Sequence, residues 1–238
     1  LCYSVLYDFT CVIILYIRVM NNNKNLGTIW RKFISQQDLE INHIPLFETD
    51  NNLNVETIIY GRKNKKIILK LSDEINNVLK ETSTHVRNKH HNYDGILYIM
   101  YCIRNEKIIP KYIGKTNVIG KTDKISVLFQ GKSPKPRWFG DNSHTFKLSE
   151  VVCEGYYTQD KRNQYLKWGE VLFKEINSSS PKLKEQVYFK TLPWEKSPKS
   201  LWDEYGGFTL GLQEYFLIDL IQKLFPGELL NIEGVIKK

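Results

Sequence analysis

Residues 94–116 read DGILYIMYCIRNEKIIPKYIGKT, and this stretch decides the fold. Two β-rich runs, Gly95–Ile103 and Ile108–Ile113, flank the polar segment Arg104–Lys107, a pattern that predicts a β-hairpin. The second run ends in YIGKT, so a strand opens onto a glycine with a lysine and a hydroxyl beside it. A phosphate group is the natural ligand for such a combination.

A helix is predicted near the end of the sequence. Apolar residues recur three and four positions apart between Leu212 and Phe225, and Pro226-Gly227 ends the pattern. Glu214 lies near the first turn of this helix.

The hairpin and the helix together resemble the GIY-YIG endonucleases, a family defined by two short motifs on adjacent strands of a small sheet. Residues 95–98 (GILY) are similar to the first motif with one residue inserted before the tyrosine, and residues 112–114 (YIG, ending in Gly114) match the second. Tyr101 follows Tyr98 by three positions, where many members carry another tyrosine. The resemblance covers roughly residues 94–234.

The resemblance implies a metal site and an arginine. The family carries its metal-binding glutamate on such a helix, with an asparagine later in the chain, so Glu214 and Asn231 are the matching positions. Arg137 is the first arginine after the second motif, a late position similar to that in the restriction-enzyme branch. The implied cofactor is Mg²⁺ or Mn²⁺. Mg²⁺ usually takes only one or two protein carboxylates, so a single glutamate is enough.

Phosphodiester hydrolysis needs an activated water, neutralised phosphoryl oxygens and help for the departing oxygen. The resemblance implies that Lys115 and Arg137 contact the scissile phosphate, and that Tyr98 or Tyr112 positions or deprotonates the water. A tyrosine with a pKa of about 10 needs nearby cations to act as a base. His144 is the alternative base. The implied products carry a 5′-phosphate and a 3′-hydroxyl.

The predicted fold class is α+β, with a small antiparallel β-sheet flanked by helices. Residues 94–238 are predicted to form the nuclease-like domain, and residues 20–93 a strand-rich N-terminal accessory region. In the accessory region, a helix begins near Thr28 and Ser72 caps a second helix that runs to about Glu81. The remaining predictions are extended segments at 44–48, 55–60 and 66–71, strands at 148–156 and 186–192, and helices at 125–129 and 159–176.

Composition favours a packed protein with a polyanionic partner. The chain has 238 residues, of which 42% are hydrophobic and 13% aromatic, which excludes a disordered chain. Its net charge of +8 suits DNA, because lysines and arginines on phosphates release counterions. The four cysteines show no CxxC spacing, which indicates no zinc site and a reducing, cytoplasmic setting. A homodimer and a cognate DNA methyltransferase are the further partners to consider.

Residues 1–19 form an apolar leader. Asp8 interrupts it, no basic segment precedes it and no small-residue cleavage site follows, a pattern that differs from a signal peptide. Met20 opens a polar run typical of an N-terminus, so we interpret the leader as translated upstream sequence that is not native, and expect no membrane partner. A transmembrane anchor is the alternative, since about twenty apolar residues span a bilayer.

Other functions compete with a restriction or defence nuclease. A repair or homing nuclease would use the same motifs. A non-catalytic nucleic-acid-binding protein on the same fold would bind through basic loops and through exposed tryptophans at Trp138, Trp194 and Trp202. Ordinary structural roles also account for single residues, since tyrosines favour strands and Glu214 complements a helix dipole.

Overall fold

The computed structural model describes residues 23–60, 66–118, 144–155, 164–196 and 209–231. Small antiparallel sheets flanked by helices make up this part of the chain, which agrees with the predicted α+β architecture at that level. In chain order, the elements are α1 (Asn23–Gln36), β1 (Thr57–Tyr60), β2 (Lys66–Leu69), α2 (Asp73–Asn88), β3 (Tyr93–Arg104), β4 (Lys107–Asn117), α3 (His144–Val152), α4 (Gln164–Leu172), β5 (Tyr188–Glu195) and α5 (Leu210–Leu224).

The larger sheet has three strands in the order β4-β3-β5, with β3 antiparallel to both neighbours. The predicted hairpin is therefore confirmed as β3–β4. Arg104 pairs with Lys107, which leaves Asn105 and Glu106 as a two-residue turn with φ of 48° and 61°. Two successive left-handed residues are the geometry of a type I′ turn, whose twist matches that of the flanking strands.

Strand β3 is buried on both faces because its side chains alternate between two cores. Ile96, Tyr98 and Met100 face a cluster that includes residues of α2, α3 and α4, and we call this side the α4 face. Leu97 and Ile99 face a cluster built with α1 and α5, the α5 face. The sheet thus lies between two helical layers.

Helix α2 begins where the sequence predicts it but runs further. The side chain of Ser72 accepts a hydrogen bond from the backbone N–H of Ile75 at 3.1 Å, as an N-cap does. The predicted end near Glu81 is wrong, since the helix continues to Asn88. Ser83 is buried on the helix's inner side, and this polar residue interrupts the apolar pattern that would have marked the extension.

The region before β3 contains more helix than strand, so the prediction of a strand-rich extension is wrong. Its two helices span 14 and 16 residues, whereas β1 and β2 have four residues each. The β1–β2 pairing matches the predicted extended segments, but residues 44–48 form only isolated bridges, such as Phe47 to Leu71. Residues of this region contribute to both clusters beside β3.

Beyond the hairpin, the predicted strand at 148–156 is wrong, because residues 144–152 form helix α3. Leu148, Val151 and Val152 are all buried, with the three-four spacing of a helix. The predicted helix at 159–176 is found as the shorter α4, and the strand at 186–192 as β5. Residues 125–129 and 156–163 lie outside the described residues.

An ion-pair cluster around the buried Lys111 joins the turn side of the hairpin to the segments before β5 and after α5. Lys111, the extra residue where the β3–β4 register shifts, has a side chain only 2% exposed and contacts both Glu185 and Glu228. Arg104 bridges the same two carboxylates, with a 2.6 Å contact to each. Burial alone would raise the pKa of both glutamates, but the hydrogen bonds to Arg104 and Lys111 outweigh it and lower the pKa.

Within the described ranges, every helix is too short or too polar to cross a membrane. The apolar leader falls among residues 1–22, which lie outside those ranges. Cys102 and Cys153 are buried free thiols, and burial raises the pKa of each to about 12.

Candidate active site

Helix α5 brings a carboxylate to the sheet. Thr209 caps the helix by accepting a hydrogen bond from the N–H of Leu212 at 3.4 Å, and Glu214 follows in the next turn. The Oε2 atom of Glu214 lies 3.1 Å from the Nζ atom of Lys115, near the end of β4. The two side chains are 18% and 24% exposed, so solvent reaches this pair.

Two tyrosines lie side by side on the α4 face, one from each motif strand. The ring centroids of Tyr98 and Tyr112 are 6.0 Å apart, and Tyr98 is 6% exposed. Tyr98 pairs across the strands with Gly114, and its ring lies over that glycine. A Cβ atom at Gly114 would sit 2.5 Å from Cζ of Tyr98, so only glycine leaves room for the ring.

The tyrosines and the glutamate are close enough to interact electrostatically. Burial raises the pKa of Tyr98 well above its usual value, and the neighbouring Tyr112 and the charge of Glu214 raise it further. The Tyr98 phenol is also hydrogen-bonded to Tyr112. In this arrangement Tyr98 carries its proton at neutral pH.

The glycine of the first motif is needed for close packing as well. A Cβ atom at Gly95 would lie 2.0 Å from the carbonyl oxygen of Thr116 and 2.7 Å from a side-chain carbon of Leu210. The first position of α5 therefore rests directly on the start of the motif strand. This contact helps to set the position of Glu214 along the sheet.

Asn231 holds the second motif in place from the edge of the sheet. Its Oδ1 accepts a hydrogen bond from the N–H of Ile113 at 3.0 Å, and its Nδ2 donates to the carbonyl of Ile113 at 2.7 Å. The neighbouring N–H of Leu230 donates to the carbonyl of Lys111 at 2.7 Å. The amide of Asn231 thus does for β4 what a further strand would do.

Tyr101 does not join Tyr98 and Tyr112. Side chains alternate along β3, so Tyr101 lies on the α5 face, where its hydroxyl is 3.1 Å from Nδ1 of His43 and its ring stacks on Tyr188. Burial, with a smaller contribution from Tyr188, raises the pKa of Tyr101. Its surroundings indicate a role in the core.

The structure does not describe the side chains of the two remaining candidates. Arg137 lies outside the described residues, and His144 is the first residue of α3, where only the backbone is described. One turn further along α3, the Nζ atom of Lys147 lies 5.6 Å from the ring centroid of Tyr165. Helix α3 thus places Lys147 beside Tyr165, which also contributes electrostatically to raising the pKa of Tyr98.

Three residues near the site were not predicted as functional. Tyr165 reads in the sequence as an apolar position of a helix, yet it belongs to the same aromatic group as Tyr112 through Trp168. Lys147 directly precedes the segment 148–156 that was predicted as a strand. Tyr215 is 53% exposed, and its ring centroid lies 5.6 Å from Nζ of Lys115. Its position directly after Glu214 in the sequence is the feature that could have indicated a place near the site.

The metal-binding potential rests on one carboxylate. Within the described ranges, no three His, Cys, Asp or Glu side chains come together as ligands. Glu214 is a partly exposed carboxylate, the type of ligand that Mg²⁺ prefers, and its charge is balanced by Lys115. Comparison of the chain with protein-family models, with curated proteins and with solved structures finds no match.

Proposed function

We propose that the chain is a metal-dependent endonuclease of the GIY-YIG type that cuts duplex DNA in a restriction or defence system. Two observations carry the proposal: the 3.1 Å contact between Glu214 and Lys115, and the Tyr98–Tyr112 pair, on which the charge of Glu214 acts. These four residues come from β3, β4 and α5, and they include the tyrosines, the lysine and the glutamate that the resemblance implies. A repair or homing role would use the same site.

Glu214 is the residue that would hold Mg²⁺ or Mn²⁺. When bound, the metal neutralises charge on the phosphoryl oxygens and helps the departing oxygen leave. Lys115 lies next to this carboxylate and can turn its ammonium to an incoming phosphate, because its side chain is partly exposed. Arg137 is proposed as the second cation on the scissile phosphate.

Tyr98 is better suited to orienting the attacking water than to deprotonating it. Burial and its neighbours keep the pKa of Tyr98 high, so the phenol donates a hydrogen bond at neutral pH. Tyr112 is less buried and is the better candidate base of the two. His144 remains the alternative, since it begins the helix that carries Lys147 toward the aromatic group.

A non-catalytic nucleic-acid-binding protein is the second candidate. The balanced Lys115–Glu214 pair favours it, because a neutralised carboxylate needs no metal. The prediction that Trp194 is exposed and stacks on bases is wrong, however, because Trp194 is buried. Trp138 and Trp202 lie outside the described residues.

Comparing the cleavage of duplex DNA by wild-type protein and by Glu214→Gln tests the proposal. Wild-type protein with Mg²⁺ is expected to cut DNA, and the substitution is expected to abolish cutting while circular dichroism and thermal stability are retained. The exposed turn residue Glu106 provides the matched control, Glu106→Gln, which should cut normally. An unchanged rate in Glu214→Gln would refute the site.

Sequencing the ends of digested DNA adds a second readout. The proposal expects a 5′-phosphate and a 3′-hydroxyl at each break, and a restriction role expects breaks at a defined sequence that methylation protects. Salt-sensitive binding without any Mg²⁺-stimulated cutting would favour the binding protein instead. Analytical ultracentrifugation on uncut DNA would show whether two copies bind one site.

A further inference from the structure

A cavity of about 380 Å³ opens where several elements of the sheet and α5 meet. The volume falls within the usual range of ligand sites, about 300–1,000 Å³. Its walls come from the start of β3, the end of β4, the residue after β5 and the start of α5. The lining residues are Tyr93, Asp94, Lys115, Asn117, Lys196, Thr209, Leu210 and Gly211.

This cavity is distinct from the space around the two tyrosines but shares Lys115 with the Glu214 contact. Lys115 lines the cavity and also contacts Glu214, whereas Tyr98, Tyr112 and Glu214 are not among the lining residues. Nζ of Lys115 lies 3.1 Å from where a Cβ atom of Gly211 would be. Because that position is a glycine, the ammonium rests against the first turn of the helix.

Lys196 supplies a second positive charge from a different strand. Its backbone N–H donates to the carbonyl of Asn92 at 2.8 Å, which fixes the chain at this point, and the side chain is exposed. Among the described residues, no carboxylate lies within ion-pair distance of Lys196. Two ammonium groups therefore border the same cavity, and the one on Lys196 lacks a described counter-charge.

The remaining walls determine which part of the cavity favours an anion. The first N–H groups of a helix have no intrahelical partner, so the start of α5 adds donors to the side where Lys115 lies. Among the described lining residues, Asp94 is the one acidic side chain, and its charge disfavours an anion close to it. An anion is thus best placed between the two lysines and the start of α5.

We propose that this cavity binds a phosphate of the DNA strand next to the scissile phosphate. The inference rests on the proposed function, since Lys115 would contact the phosphate that is cut and the cavity begins on its other side. Lys196 is then a phosphate-binding residue that positions the strand, and Asp94 weakens binding by repulsion.

The test measures DNA affinity against salt concentration in the absence of divalent metal, so that cutting does not interfere. Lys196→Ala is expected to lower the slope of log affinity against log salt by about 0.9 and to weaken binding about eightfold at 0.1 M salt. Asp94→Asn is expected to strengthen binding about twofold, because a like charge within a Debye length is removed. These opposite signs separate the effect from a general loss of folding.

Lys190→Ala is the matched control. Lys190 lies on β5, six residues before Lys196, and its ammonium donates to the carbonyl of Asp38 at 3.1 Å. This variant should keep the wild-type slope. Replacing single phosphates near the cut by neutral methylphosphonates then locates the contact: the replacement that weakens wild-type binding should have no further effect in Lys196→Ala.

The outcomes distinguish this inference from the proposed function. Wild-type protein that binds no duplex DNA would overturn both. Wild-type protein that binds and cuts, with an unchanged slope in Lys196→Ala, would overturn the inference alone. Inorganic phosphate provides the remaining arm: if it stabilises wild type but not Lys196→Ala while DNA affinity is equal in the two, the cavity belongs to a free phosphate ligand, and the DNA assignment is wrong.

Discussion

Two lysines of β4 lie against glutamates, with opposite results: Lys111 on the turn side of the strand and Lys115 near its other end. Lys111 is 2% exposed and contacts two carboxylates, Glu185 and Glu228, whereas Lys115 is 24% exposed and contacts one described carboxylate, Glu214. A buried cation with two carboxylates is fully committed to the fold. A partly exposed cation with one carboxylate can exchange its partner for a phosphate, so the same residue type is committed to the fold at one point of the strand and is proposed to contact substrate at the other.

Helix α5 and the segment after it supply both ends of this arrangement. Glu214 lies near the start of the helix and Glu228 lies beyond its end, so the helix spans the strand with a carboxylate at each extremity. Arg104 adds a second cation at the Glu228 end. The comparison therefore predicts that damage at the Lys111 end unfolds the protein, and that damage at the Lys115 end removes activity.

Lys111→Met should have the largest effect, on stability. Removing the cation of a buried pair typically costs about 3–5 kcal/mol because the carboxylates lose their partner. Urea denaturation would measure the change in the free energy of unfolding. The control is Lys107→Met at an exposed position of the same strand, which is expected to stay within about 0.5 kcal/mol of wild type. A small change in Lys111→Met would show that Arg104 alone satisfies both glutamates.

Lys115→Ala should have the second-largest effect, which is a loss of turnover rate. Losing one electrostatic contact to the reacting phosphate typically lowers kcat about 100- to 1,000-fold, while losing an exposed ion pair changes the free energy of unfolding by less than about 1 kcal/mol. Single-turnover cleavage and DNA affinity should be measured together. Arg137→Ala is expected to show a similar loss of kcat. Equal losses in kcat and affinity would assign either residue to phosphate anchoring alone.

Gly114→Ala should have a smaller effect, confined to the tyrosines. The added methyl group would meet Cζ of Tyr98 at 2.5 Å, so the ring must move, and we expect kcat to fall about tenfold, or about 1.4 kcal/mol in barrier height. Thermal unfolding should change little, because the far end of a side chain can shift. Wild-type cleavage in this variant would show that the position of Tyr98 does not matter for catalysis.

Mild acid should have the smallest effect, at the Lys111 end. The pKa values of Glu185 and Glu228 are lowered in the folded state, so the unfolded chain binds more protons as pH falls. Their contribution is complete above the unfolded pKa of about 4.3 and is lost as pH falls through the folded pKa. Urea denaturation between pH 6 and pH 3 should show a shallower decline in Glu228→Gln than in wild type; parallel curves would contradict the assignment.

Sequence reasoning found the elements whose signals are local. The β3–β4 hairpin follows from alternating β-rich runs around a polar turn, and α2 from the cap at Ser72. Helix α3 was missed because Val151 and Val152 favour strands, although their spacing from Leu148 is helical. The length of α2 was missed because a buried serine occupies a core position.

The candidate site was predictable only where motif and periodicity agree. Glu214 and Tyr98 are placed by the helix pattern and the strand motif, but the same alternation that sets Tyr98 on one face puts Tyr101 on the other. Lys196 and Tyr165 depend on which strands and helices become neighbours. No local pattern encodes that information.

Because Asn231 bonds both backbone groups of Ile113, a chain that stops short of residue 231 leaves the motif strand with an open edge. Open edges invite pairing with other chains, so products truncated before Asn231 should aggregate more readily than longer ones.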